Sequence, residues 1–275
     1  MRHPWLRRLA GWALTAALLW AGLVAALWFR QEWLIFRPHT LPADWVFDKG
    51  ADVHERWIDV PGGRLNALHL KLPAPDGIVY FLHGNGGSLE GWFVNLDAYR
   101  RANLDLFMID YRGYGKSPCC ITSQEQLHAD VRAAWQAIAP AYAGKTRVLY
   151  GRSLGTGLAA VLAAEVQPEL TILASPYLSM AALADEHYAW VPKAVLRYPL
   201  RTDEALVRVQ TPVLMLHGTE DRLIDVSHAR RLKALRPQTT LVEITGAAHN
   251  DVSRFDAYRE AVATALQQAK ATSAR

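Results

Sequence analysis

Hydrophobic and polar positions fall into two regimes along this chain. Residues 9–29 are 21 consecutive positions without a single charge. From residue 54 onward, short apolar runs alternate with amphipathic stretches, the pattern of β-α units feeding a mostly parallel sheet. Residues 55–60 and 64–72 read as two strands joined by the turn Pro61-Gly62-Gly63. Residues 78–82 form a buried strand, followed by a Gly-rich turn and a helical stretch to about residue 102. The strand 104–109 comes next. Thr122 and Glu125 have the spacing of a capping box that opens a helix to about residue 139. A strand at 147–150, a small-residue helix from Leu154 and a strand at 170–174 continue the alternation. Residues 176–209 break it with Trp190, Pro192, Tyr198 and Pro199 in an irregular, partly helical segment. The rhythm then resumes with strand 213–216, a helix opening at Asp225, strand 240–244 and a C-terminal helix from about Phe255, whose last residues, 271–275, are expected to fray.

At ~1.5 Å per residue the uncharged run would span roughly 31 Å as a helix, the thickness of a bilayer's hydrocarbon core. Trp5, Trp12, Trp28 and Trp33 sit towards its ends, where amphipathic rings prefer the membrane interface. A transmembrane anchor is therefore predicted. The competing reading is a signal peptide cleaved near Val24-Ala25-Ala26, which would release a secreted protein. Arg2, Arg7, Arg8 and the α-amino group precede the run, against Arg30 and Arg37 after it. By the positive-inside rule the N-terminus is expected to be cytoplasmic and the body periplasmic or lumenal.

Charge sharpens this division. The chain has 275 residues and a formal net charge of +4, and all of the excess lies in residues 1–38, where five arginines face Glu32 alone. The remainder carries 25 basic and 25 acidic side chains, so the basic pI argues for an anchor's flanks and against nucleic-acid binding. The only cysteines, Cys119 and Cys120, are neighbours; they cannot form a long-range staple and are expected to be small fillers in a loop. No P-loop or Cys/His metal cluster occurs in the sequence, and no cofactor or metal is expected.

The chemistry centres on Gly151-Arg152-Ser153-Leu154-Gly155, a G-x-S-x-G between a predicted strand and a predicted helix. A serine on so tight a turn is held in strained backbone angles with its hydroxyl exposed above the sheet. The Leu154 N–H then lies at a helix N-terminus, where developing negative charge is stabilised. A serine hydroxyl needs a base, and the base a third group that fixes its tautomer. His217-Gly218-Thr219-Glu220-Asp221 ends one strand and Ala247-Ala248-His249-Asn250-Asp251 follows the next. Asp221 and His249 are thus expected to reach Ser153, in the order Ser, Asp, His. Glu220 and Asp225 are the other available acids, although Asp225 reads better as a helix N-cap. The loop His83-Gly84-Asn85-Gly86-Gly87 should lie beside the nucleophile strand, making the Asn85 N–H the second expected oxyanion donor. Tyr177, Tyr188 and Trp190 are expected pocket walls. His83 and His217 read as loop braces. Gly155-Thr156-Gly157-Leu158-Ala159-Ala160 fits a dinucleotide fingerprint, yet the following strand ends Leu173-Ala174-Ser175 without the required acid. Those glycines are better explained by close packing of helix on sheet.

Five stretches, "HGNGG" at 83–87, "DYRGYGKS" at 110–117, "GRSLGTG" at 151–157, "HGTED" at 217–221 and "AAHND" at 247–251, occur in an order that resembles the α/β-hydrolase family. Within it the chain is most similar to the membrane-anchored abhydrolase-domain branch of esterases, lipases and protein depalmitoylases. The resemblance implies an eight-stranded, mostly parallel sheet with helices on both faces. It implies Ser153 as nucleophile, Asp221 as acid, His249 as base, and an oxyanion hole at Asn85 and Leu154.

The expected organisation is an anchor with its flanks at 1–38 and a catalytic domain at 39–275, with 176–209 as a short cap. The expected activity is hydrolysis of carboxylic esters or thioesters, with a small-molecule or lipid or acyl substrate. The same triad would serve an aminopeptidase or an acyltransferase. A membrane-tethered binding protein that kept the fold without catalysis is the reading from another class.

Overall fold

The computed structural model describes residues 4–273. Helix α1, Pro4–Ile35, is followed by the two-residue strand β1, Arg37–Pro38, and then by the body. The body's strands are β2 Val53–Val60, β3 Gly63–Leu70, β4 Gly77–Leu82, β6 Leu104–Ile109, β7 Thr146–Arg152, β8 Leu170–Ala174, β9 Val213–Gly218 and β10 Thr240–Ile244. Among the described residues they form one eight-stranded sheet in the order β10-β9-β8-β7-β4-β6-β3-β2. The β2–β3 and β3–β6 pairs are antiparallel and all others parallel. A further two-residue strand, β5 at Gly86–Gly87, pairs with β1.

The central strands read as unbroken apolar runs because both faces of the sheet are covered. Along β4, Ile78, Tyr80 and Leu82 enter one hydrophobic cluster, while Val79 and Phe81 enter the other. Helices α4, Gln124–Ile138, and α5, Leu154–Val166, contribute Val131, Trp135, Leu158 and Leu162 to the first cluster. Helices α3, Leu96–Ala102, and α9, Asp256–Ser273, contribute Leu96, Tyr258 and Leu266 to the second. This is the α/β-hydrolase architecture, with helices on both faces as expected. The segment between β8 and β9, expected to be a short cap, carries two short helices, α6 at Met180–His187 and α7 at Thr202–Leu206.

Local details differ from the sequence expectation. The helical stretch after β4 is two pieces, α2 at Leu89–Trp92 and then α3, because Asn95 adopts a left-handed conformation between them. The cap of α4 is Ser123, whose hydroxyl accepts the Gln126 N–H, and Gln126 reaches back to the Thr122 N–H. Two overlapping S/T-x-x-E/Q pairs stand there; the one starting a residue later supplies the cap, and its Gln126 reaches one residue further back than in a capping box. Helix α8, Ser227–Leu235, starts two residues past Asp225, whose carboxylate accepts the Ser227 N–H. Cys119 and Cys120 lie exposed in the loop after β6, and the two neighbours are joined to each other in a disulfide. Residues 271–273 continue α9, with the Ser273 hydroxyl engaging Thr146 and Ala269; Ala274 and Arg275 lie outside the described residues.

Helix α1 is about 48 Å long at 1.5 Å per residue, and Arg7–Ile35 is long and apolar enough to cross a membrane. Its side chains are largely exposed until Gln31, which is buried. Arg2, part of the orientation argument, lies outside the described residues. Contact between α1 and the body begins at Trp28, whose ring lies under the Arg197 guanidinium at 5.8 Å, and becomes burial at Gln31.

Candidate active site

Strand β7 ends at Arg152 and α5 begins at Leu154, leaving Ser153 alone to make the turn. Its φ of 50° and ψ of −117° are strained for a side-chain-bearing residue. The strain is held by hydrogen bonds on both sides. The Ser153 N–H donates to the Ala174 carbonyl at 2.9 Å, and the Thr156 N–H and hydroxyl both donate to the Ser153 carbonyl. The glycines allow the turn to sit deep. A Cβ at Gly155 would lie 2.0 Å from the Leu82 carbonyl oxygen, and one at Gly151 would lie 2.5 Å from the Gly155 oxygen. The glycines therefore serve packing of α5 on the sheet, in keeping with the missing dinucleotide acid.

The three residues expected to meet do so. Ser153 Oγ lies 3.1 Å from His249 Nε2, and His249 Nδ1 lies 2.6 Å from Asp221 Oδ2. The short second distance fixes the tautomer: Nδ1 donates to the carboxylate and Nε2 is free to accept the serine proton. The other oxygen of Asp221 accepts the N–H groups of Leu223 at 3.0 Å and Ile224 at 2.9 Å. Burial by itself would raise the Asp221 carboxyl, but hydrogen bonds from His217, His249 and Ile224 outweigh it and hold the group well below the usual carboxylate range. The His217 contribution is the weaker by distance, since its Nε2 is 2.7 Å from the Ile224 carbonyl and 3.4 Å from Asp221. Asp221 thus stays ionised at neutral pH. Glu220 is exposed and Asp225 is occupied at α8, so neither competes.

Two N–H groups are expected to face a developing oxyanion. Leu154 opens α5, where the first-turn N–H groups have no intrahelical partner. Asn85 lies in the loop after β4, next to β7 in the sheet. That loop is braced from below. His83 Nδ1 lies 2.7 Å from the Gly84 carbonyl oxygen, and the Tyr111 hydroxyl donates to the His83 carbonyl. Asp110 accepts the Leu89 N–H, and burial pushes its carboxyl up to about 8, keeping it neutral at pH 7. The expected pocket walls separate. Tyr177 is fully buried with its hydroxyl on the Leu154 carbonyl at 3.1 Å, so it supports the Ser153 turn and offers no surface to a ligand. Tyr188 and Trp190 are exposed just after α6.

Arg152 escapes a reading of the sequence, because within the pentad it passes for an arbitrary "x". It is buried, donates through Nη2 to the His249 carbonyl, and lies 3.5 Å through Nη1 from the Ala174 carbonyl. Burial pulls its guanidinium down to about 10, opposed by the Asp221 charge, so it remains cationic at neutral pH. A charge at the end of a buried strand is the available signal, since such a group must find partners. Arg152→Gln is expected to lower kcat roughly ten- to a hundredfold by loosening the His249 loop. Steady-state kinetics on an activated ester would check this, with KM expected to stay within a few-fold.

A sequence profile described as serine aminopeptidase, S33, matches residues 73–202. Alpha/beta hydrolase domain-containing protein 17C of Xenopus tropicalis is 31% identical over 228 residues, covering 79% of this chain and 72% of that one. The human protein 17B is 32% identical over 207 residues, covering 72% and 69%. Among solved structures, an esterase from Pyrococcus furiosus superposes with a TM-score of 0.67 at 17% identity, covering 85% of this chain and 97% of its own. A thioesterase domain from the curacin biosynthetic pathway gives 0.59 at 15%, covering 78% and 99%. At those identities the structures speak for the fold alone.

Proposed function

The chain belongs to the α/β-hydrolase family, and from that premise we propose a membrane-anchored serine hydrolase that cleaves carboxylic esters or thioesters. The reading rests on one observation: a strained serine at a helix N-terminus lies 3.1 Å from an imidazole whose far nitrogen is 2.6 Å from a buried carboxylate. In the first half-reaction His249 Nε2 takes the proton of Ser153 Oγ as the oxygen attacks the acyl carbonyl. The N–H groups of Leu154 and Asn85 hold the oxyanion. His249 then returns the proton to the leaving alkoxide or thiolate, and an acyl-serine remains. Water, deprotonated by the same nitrogen, attacks that ester; the acyl–Oγ bond breaks, the imidazolium returns the proton to Ser153 Oγ, and the acid is freed. Asp221 keeps the imidazole in its tautomer and balances the imidazolium charge.

Helix α1 is the proposed anchor, with Arg7 and Arg8 on the cytoplasmic side and the body beyond Arg30. A reporter fused after Ser273 that is active only in the cytoplasm would refute that orientation. An anchored hydrolase meets acyl chains at high local concentration, which favours a long-chain lipid ester or acylated protein as substrate. The test is a series of p-nitrophenyl and thiophenyl esters from acetyl to palmitoyl, run beside leucine p-nitroanilide, with fluorophosphonate labelling of the purified protein. We expect labelling at Ser153, turnover of the ester series and a kcat/KM that rises with chain length. Turnover of the anilide above that of the esters would transfer the reading to the aminopeptidase activity in the profile's description. Absence of labelling and of turnover would leave a binding protein.

A further inference from the structure

The segment that leaves α1 is built into the loop carrying Asn85. Phe36 is buried edge-on against Tyr198, with ring centroids 5.2 Å apart. Immediately after it, β1 runs parallel to β5, with Arg37 opposite Gly86 and Pro38 opposite Gly87. The Arg37 N–H lies 2.8 Å from Asn85 Oδ1 and 3.2 Å from the Tyr114 hydroxyl oxygen. The Tyr114 hydroxyl in turn donates to the Asn85 carbonyl at 2.6 Å. The His39 N–H donates to the Gly87 carbonyl, the Gly115 N–H to the His39 carbonyl, and the Leu41 N–H to the Gly115 carbonyl. Residues 37–41 are thus stitched on one side to the loop after β4 and on the other to the turn after β6.

These hydrogen bonds grip one residue from two directions. Asn85 is flanked by Gly84 and Gly86, and Gly87 follows at a φ of 90°, so the loop has little conformational stiffness of its own. Holding the Asn85 side-chain amide and its carbonyl fixes the backbone angles at that residue, and with them the direction of its N–H. Oxyanion donors act only when aimed where charge develops, and misplacement by about 1 Å can cost as much as roughly a hundredfold in rate. We propose that residues 37–41, with Tyr114 as the bridging group, form a clasp that positions the Asn85 N–H for the oxyanion. Arg37 and Tyr114 are positioning residues, acting through Asn85. This inference rests on the serine-hydrolase reading and adds to it a part of the chain outside the motifs at 151–157, 217–221 and 247–251.

The experiment uses the full-length protein in detergent. Tyr114→Phe keeps the ring and its packing and removes only the bridging hydroxyl. Arg37→Pro removes the N–H that reaches Asn85. Active sites are counted by fluorophosphonate labelling, so that kcat refers to competent enzyme. For both variants kcat is expected to fall roughly tenfold, less than the loss of a whole donor, with KM within about twofold of wild type. Inhibition by an alkyl trifluoromethyl ketone, which adds to the serine and leaves an oxyanion in the same position, should weaken by a similar factor. A structural role alone would lower the melting temperature and leave kcat per labelled site and the inhibition constant intact; that result overturns the proposal. Tyr114→Phe decides the matter by itself should Arg37→Pro not fold. If wild-type protein neither labels nor turns over esters, the failure lies in the serine-hydrolase reading, and the clasp's catalytic meaning falls with it.

Discussion

Ser153→Ala is expected to lower ester kcat by at least about 10⁴-fold and to abolish fluorophosphonate labelling. Among the described residues no neighbour stands ready to replace the hydroxyl. The Thr156 hydroxyl is committed to the Ser153 carbonyl at 2.7 Å, and Ser175, next in the fold, is fully buried. The fold should survive the change. The bonds that hold the turn use the main chain of Ser153, whereas its side chain bonds His249 at 3.1 Å. A melting temperature within about 2 °C of wild type is therefore expected, since one partly exposed hydrogen bond is worth ~1 kcal/mol. Turnover by the variant at more than about a hundredth of the wild-type rate would remove Ser153 from the reaction.

Gly155→Ala is the second large effect, and it acts on stability. The new Cβ would stand 2.0 Å from the Leu82 oxygen, 2.7 Å from the Leu82 carbon and 2.8 Å from the His83 oxygen. All three are backbone atoms at the end of a central strand and unable to swing aside. Overpacking against side chains costs about 1–3 kcal/mol. Here α5 must lift from β4, so the loss should exceed that range and remove much of a typical stability of about 5–15 kcal/mol. The expected outcome is a sharp fall in the urea midpoint, with Ser153 labelling falling in parallel. Gly91→Ala, whose Cβ would meet nothing within 4 Å, is the matched control and should shift stability by less than about 1 kcal/mol. Equal midpoints for the two variants would show that α5 sits farther from β4 than the Gly155 geometry requires.

What can be read from the sequence follows the physics of each signal. The central strands are legible because burial on both faces leaves runs such as residues 104–109 with almost nothing polar in them. Ser153, Asp221 and His249 are legible because each follows a strand that ends on one edge of a parallel sheet, and topology brings such ends together. Tyr177 is misread because an aromatic residue after a strand looks the same whether it faces a ligand or, as here, the underside of a helix. The start of α4 is ambiguous because Thr122 and Ser123 each have a Glu or Gln three positions on. The strand at Arg37–Pro38 leaves no trace at all. Two residues have no periodicity, proline is a poor strand former, and their pairing is decided by a loop some 50 positions away. Arg152 leaves a faint one, a charge where the strand pattern demands burial.

The join between α1 and the body has a consequence for reach. A flexible tether of n residues lets a domain roam roughly 5–6 Å × √n from its attachment point. The described residues leave no room for such a tether. Gln31 bonds the main chain of Val195 and Arg197, Glu32 bonds Tyr198 and Arg197, and the first stitch to the loop after β4 comes at Arg37, two residues past the helix. With α1 set across a bilayer, the serine would ride at one fixed height and tilt above the surface, like a tool on a rigid arm. Substrates would have to come to that height: a bond buried deeper or carried higher than the arm is long would go uncut, however well its chemistry matched.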